Sequence, residues 1–144
     1  MLDRKARSFY SLTVKIDHLT VPVSDYERSR RFYEEVLAPL GFTTLLDWHD
    51  KRRAYLGVPP QASSLWLVES AITGTIDIAL AASNADAVDA FHAAATAAGA
   101  RTLDDPGVRP EHSNRYYAAR VLDPDGNSIE AVHRTCATEK RVAA

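Results

Sequence analysis

His18-Leu-Thr-Val-Pro-Val-Ser24 and Asp77-Ile-Ala-Leu-Ala-Ala-Ser83 decide the fold, because each opens a unit that the chain runs through twice. From there Phe32 aligns with Phe91 and Gly41 with Gly99, and Thr44-Leu45 aligns with Thr102-Leu103 after a one-residue slip. Each unit reads as an alternating apolar segment, a helical segment closed by glycine, and further short apolar segments. A duplicated unit brings equivalent positions of its copies together across a pseudo-twofold axis. Chemistry shared between the copies is therefore expected first at His18 and Asp77.

Ile16 to Val23 alternates, with Ile16, His18, Thr20 and Pro22 on one face and Asp17, Leu19, Val21 and Val23 on the other. Ser24 or Asp25 can cap the following helix by accepting a bond from a free amide of its first turn. Phe32, Tyr33, Val36, Leu37 and Leu40 form its apolar stripe, and Pro39 and Gly41 end it. Phe42 to Trp48, Arg53 to Leu56 and Ser64 to Glu69 read as strands, and residues 69–74 connect the units. In the second unit, Thr75 to Ala82 is a strand. Asn84 to Ala98 is an alanine-rich helix with Val88, Phe91 and Ala95 facing inward. Asp104 to Arg115, punctuated by Pro106, Gly107 and Pro110, reads as a long polar connection. Tyr116 to Leu122 and Ser128 to His133 are strands joined by Asp123-Pro-Asp-Gly-Asn127, where proline presets φ and Gly or Asn accepts positive φ.

The expected fold class is α+β: paired βαβββ modules, 14–69 and 75–134, forming a curved sheet around a trough with helices on the outer face. Residues 1–13 read as an N-terminal arm and 135–144 as a polar tail. The length of 144 residues suits one domain. A net charge of −2 gives no reason to expect nucleic acid or an anionic membrane as partner. No apolar run approaches a membrane span or a signal-peptide core. The single cysteine, Cys136, cannot form an internal disulfide, so a reducing cytoplasm is the expected compartment.

The chain resembles the vicinal oxygen chelate superfamily, which includes glyoxalase I, extradiol dioxygenases, fosfomycin-resistance enzymes and bleomycin-binding proteins. The resemblance is carried by Ile16-Asp-His-Leu-Thr-Val21, Ser29-Arg-Arg-Phe-Tyr-Glu34, Val88-Asp-Ala-Phe-His92 and, most specifically, the stretch from Tyr116 through Asp123-Pro-Asp-Gly-Asn127 to Val132. It spans about residues 14–134 and is nearest to the small single-domain bacterial proteins. It implies a divalent ion in the trough, held by one residue from the first strand and a glutamate from the last strand of each module. Carried over, the ligands are His18, Asp77 (where histidine is usual) and Glu130. The remaining position falls near Trp66, whose indole cannot ligate a metal. The resemblance also implies a small-molecule substrate and a homodimer.

One imidazole and two carboxylates balance a divalent cation and leave positions for substrate. The ion expected from this set is Ni, Zn, Mn or Fe, or none. Glu130 or Asp77 is the candidate proton carrier. Asp77 has alternatives: a pocket carboxylate facing a basic group, or an ion-pair partner of Arg120. Trp48, Tyr55, Trp66 and Tyr117 either line an apolar pocket or form plain core. Arg120 either meets an anionic ligand or points to solvent, and His112 sits in a loop able to fold over the trough. Two functions follow. One is a metal-dependent lyase, isomerase or dioxygenase acting on a small oxygenated molecule. The other is a metal-free, bleomycin-resistance-like binding protein. A glutathione-dependent glyoxalase I is disfavoured, because its four-ligand set is incomplete.

Overall fold

A computed structural model describes residues 16–60, 64–71 and 74–135. The arm over 1–13, Cys136 and most of the tail lie outside them. The first module runs β1 (His18–Val23), α1 (Tyr26–Leu37), a 3-10 turn (Ala38–Leu40), β2 (Thr43–Trp48), β3 (Arg53–Gly57) and β4 (Ser64–Glu69). The second runs β5 (Asp77–Ala81), α2 (Ala85–Ala97), β6 (Arg101–Val108), β7 (Tyr116–Leu122) and β8 (Ser128–Arg134).

The duplication is visible in the register. The sheets have the orders β1-β4-β3-β2 and β5-β8-β7-β6. His18 lies opposite Ser64 and Thr20 opposite Trp66, just as Asp77 lies opposite Ser128 and Ala79 opposite Glu130. Both helices end on a left-handed glycine, Gly41 at φ 86° and Gly99 at φ 83°. The strand after each glycine bulges just past the aligned threonine, between Thr44 and Leu46 and between Thr102 and Asp104.

Strand alternation sends Val21, Val23, Leu65, Leu67, Ala54 and Leu56 toward α1, whose buried face is Phe32, Tyr33, Val36 and Leu37. In the second module Ile78, Ala119, Val121, Ile129 and Ala131 meet Val88, Phe91 and Ala95 of α2. Asp25 and Asn84 cap the helices, accepting from the amides of Arg28 at 3.0 Å and Ala87 at 2.8 Å. Ser24, the other capping candidate, is used elsewhere: its amide donates to Asp125 at 3.2 Å, and its hydroxyl bonds the same carboxylate.

The expected α+β fold of paired βαβββ modules is present as two four-stranded sheets, and among the described residues no strand of one pairs with a strand of the other. The modules meet through α1 against α2 and through α1 against the β7–β8 turn. There Tyr33 donates its hydroxyl to the buried Asp123 at 2.7 Å. One expectation is corrected: Asp104 to Val108 is not loop but the end of β6. Pro106 and Gly107 are accommodated because β6 is an edge strand bulged between Asp104 and Gly107, so no ladder amide is lost at the proline.

Candidate ligand-binding face

With the helices covering one side, each sheet leaves the other side bare. On the first sheet one cross-strand row of that bare side is Thr20, Trp66, Tyr55 and Leu46, with Trp48 a step further along β2. The Trp48 and Trp66 ring centroids are 5.2 Å apart, and those of Tyr55 and Trp66 are 4.6 Å apart, with interplanar angles of 34° and 38°. The three rings form one tilted panel, each contact contributing about 0.5–1.5 kcal/mol beyond area burial. This panel is not core: Trp48 is 39% exposed, and no helix of the described residues covers the face. Cations flank it. Lys51 Nζ stands 5.1 Å from the Trp48 ring, and Arg53, the register partner of Trp48, has a buried Nε with no hydrogen-bond partner among the described residues.

The bare side of the second sheet is acidic where the first is aromatic. Glu130 occupies the register position of Trp66, and Tyr116 donates its hydroxyl to Glu130 Oε1 at 2.8 Å. Burial first, then the bond to Glu130 and that carboxylate's charge, raise the Tyr116 phenol above its ordinary range, with Asp77 adding to the effect. Asp77 and Glu130 therefore act on one hydroxyl. The His112 ring packs 4.9 Å from Tyr116, and the Arg134 guanidinium lies 4.8 Å from the same ring. The Arg109–Arg115 loop thus brings His112 onto this patch.

Tyr116 is the residue the sequence reading missed, and for Tyr117 the core alternative holds. Tyr117 points to the helix side, donating to Asp89 of α2 at 2.6 Å, and so supports the helix. Successive strand residues face opposite ways, so the parity of Arg120, opposite Glu130, already selects Tyr116. Arg120 is paired with Asp104, to which its Nε donates at 2.8 Å, and not with Asp77. Two further histidines have partners within the second module: His92 lies 2.9 Å from the Thr102 hydroxyl, and His133 lies 3.1 Å from the Ala82 carbonyl.

Does the donor set fit the ion that the resemblance implies? His18 is half exposed, with Nδ1 2.8 Å from Asp17. One Glu130 oxygen is taken by Tyr116, and Trp66 offers no lone pair. Among the described residues no three His, Cys, Asp or Glu side chains converge to hold an ion. His18, Asp77 and Glu130 each stand on the bare side of their own sheet, but one chain does not assemble them. The donor set of one chain does not fit.

A family model, the Glyoxalase/Bleomycin resistance protein/Dioxygenase superfamily, matches residues 15–131. The chain belongs to this superfamily. Among solved structures it is similar to a glyoxalase/bleomycin resistance protein from Albidiferax ferrireducens T118, at 31% identity over 83% of this chain and 98% of that one, with a TM-score of 0.71. It is also similar to a glyoxalase I mutant from Zea mays, at 25% identity over 81% of this chain and 45% of that one, with a TM-score of 0.60. The likeness to the oxidase ChaP-H2, at 20% identity over 88% and 98% of the two chains with a TM-score of 0.65, shows the fold alone. No curated protein matches the sequence. No helix of the described residues is long and apolar enough to cross a membrane.

Proposed function

We propose that this superfamily member is a metal-independent binding protein for a planar aromatic or heteroaromatic small molecule. The observation that carries the reading is the Trp48–Trp66–Tyr55 panel, which sits bare at the position where the second module has its carboxylate. Large rings left uncovered by the chain's own helix present a flat apolar platform, and stacking on it is the cheapest way to cover it. Lys51 and Arg53 beside the panel favour a ligand with an anionic substituent. The name of the Albidiferax relative includes drug-resistance proteins, which is consistent with sequestration as a function.

The test is a thermal-shift series with naphthoate, a planar anionic aromatic, in the presence of a chelator. Binding to the native state alone must raise the melting temperature. A saturable rise that survives the chelator and disappears in Trp66→Ala supports the reading. A rise that requires a divalent ion and disappears in Glu130→Ala sinks it.

One observation favours the second reading, a metal-dependent lyase, isomerase or dioxygenase. Asp77, Glu130 and the Tyr116 hydroxyl share one bare face, and His18 Nε2 has no hydrogen-bond partner among the described residues, so it is available to a ligand brought from outside its own chain. That reading needs a homodimer, which we also propose: the outer edges of β1 and β5 have no neighbouring strand among the described residues, and Leu19 beside His18 is 37% exposed.

A further inference from the structure

The first helix carries a charged face that its repeat counterpart lacks. Arg28, Arg31 and Glu35 lie on one face of α1, and the alignment of Phe32 with Phe91 places them opposite Ala87, Ala90 and Ala94 of α2. The two helix faces meet equivalent partners. At the first junction α2 packs on the 3-10 turn after α1, where Ala87, Leu40 and Phe42 gather on the core while Ala90 stays exposed. The α1 face looks toward the end of α2 and the start of β6 and finds a cavity of about 690 Å³.

The glycines that close the helices record the same asymmetry. A Cβ placed on Gly41 would lie 3.5 Å from Val58, whereas one placed on Gly99 would meet nothing within 4 Å. One junction has collapsed onto small side chains, and the other stays open.

The open junction is lined by Arg28, Arg31, Phe32, Glu35, Gly99 and Arg101, with Leu122 and Pro124 as its floor. Arg28 is partly engaged, donating to Ser24 Oγ at 3.1 Å and standing 3.8 Å from Asp125. The side chains of Arg31, Glu35 and Arg101 have no hydrogen bond or ion pair with the described residues. Asp123, also in the lining, makes no ion pair with either arginine. Its carboxylate already accepts from Tyr33, the Asp125 amide, and the amide and side chain of Asn127. Two unpaired guanidiniums across a cavity, one on α1 and one on β6, match a planar or tetrahedral oxyanion, which each can bind through paired N–H groups.

We infer that this cavity at the module junction is a second ligand site, separate from the two bare sheet faces, for a small oxyanion-bearing metabolite. Arg31 and Arg101 grip the carboxylate or phosphate. Phe32, Leu122 and Pro124 contact the apolar body. Glu35 accepts from a hydroxyl or ammonium group of the same molecule. The site bridges α1 of one module and β6–β7 of the other, so its occupant ties the modules together.

The probes are citrate and inorganic phosphate, each titrated by calorimetry and by amide chemical shifts, with sodium chloride matching the ionic strength. Saturable binding of either probe, with shifts confined to residues 28–35, 98–101 and 122–126, is expected. Preference for citrate would assign a carboxylate ligand, and preference for phosphate a phosphate ester. The double variant Arg31→Gln/Arg101→Gln changes exposed side chains only and should weaken binding at least about tenfold, the worth of one charge-assisted bond. Trp66→Ala should bind the probes as wild type does. Glu35→Gln, which removes the opposing charge, should tighten them. Shifts that track chloride, fail to saturate, or persist unchanged in the double variant overturn the site.

Discussion

Trp66 and Glu130 are the same position of the repeated unit. Trp66 lies between Thr20 and Tyr55, and Glu130 between Ala79 and Arg120, in sheets of identical strand order. The divergence at this position separates the chain from a four-donor metal centre. It replaces a carboxylate by the middle ring of an aromatic panel.

Zinc, nickel and manganese should therefore raise the melting temperature of the wild type no more than they raise that of Glu130→Ala at the same concentration. A bound ion must stabilise the native state in proportion to its saturation. A rise in the wild type that Glu130→Ala lacks would restore the metalloenzyme reading.

Tyr33→Phe should destabilise the protein by about 2 kcal/mol, the worth of a hydrogen bond to a buried charged acceptor. The lost partner is Asp123, 5% exposed, which holds the β7–β8 turn against α1. Urea unfolding gives the number, and a change under about 0.5 kcal/mol, typical of surface substitutions, would contradict the role. Burial, followed by the Asp123 charge, raises the Tyr33 phenol above its ordinary range. Its contribution is thus fully present below about pH 10, the ordinary tyrosine value, and is lost as pH rises beyond it. Tyr33→Phe should flatten this alkaline limb.

On the acid side, the guanidinium of Arg52, followed by the Tyr26 amide, holds the Glu69 carboxyl below its usual range. Arg52 donates at 2.8 Å and the Tyr26 amide at 2.8 Å. A depressed carboxyl contributes stability above its unfolded value, about 4.3, and loses it as pH falls through the folded value. Glu69→Gln should make the acid limb of the stability curve shallower. An unchanged limb would show the clasp to be thermodynamically silent.

Sedimentation at micromolar concentration should give a dimer, because the outer edges of β1 and β5 have no neighbouring strand among the described residues. A monomer would remove the assembly from the proposal.

The sequence carried the architecture because each of its signals was local. Alternation fixed the faces of His18, Thr20 and Glu130, and Gly41 and Gly99 closed the helices where left-handed φ demanded it. What stayed hidden was nonlocal. A bulged edge strand through Pro106 and Gly107 has the composition of a loop. Asp123 and Asp125 read as ordinary turn residues, yet they fasten the β7–β8 turn to Tyr33, Ser24 and Ser29 on the other module. The pairing of Arg120 with Asp104 depends on which residues a bulge leaves side by side. Which of its two alternatives Tyr117 takes follows from strand parity: on a strand whose phase Arg120 sets, Tyr117 faces α2 and Tyr116 the bare side.

Trp48 and Trp66 are the only two tryptophans of the chain, and both belong to the panel, so intrinsic indole fluorescence reports on the proposed binding face alone. Titrating chelator-treated protein with naphthoate should change that fluorescence saturably, and Trp66→Ala should weaken the apparent affinity at least about tenfold, the loss of roughly one aromatic contact at its upper worth. A titration that is flat until a divalent ion is added, and that Glu130→Ala then abolishes, would contradict the account.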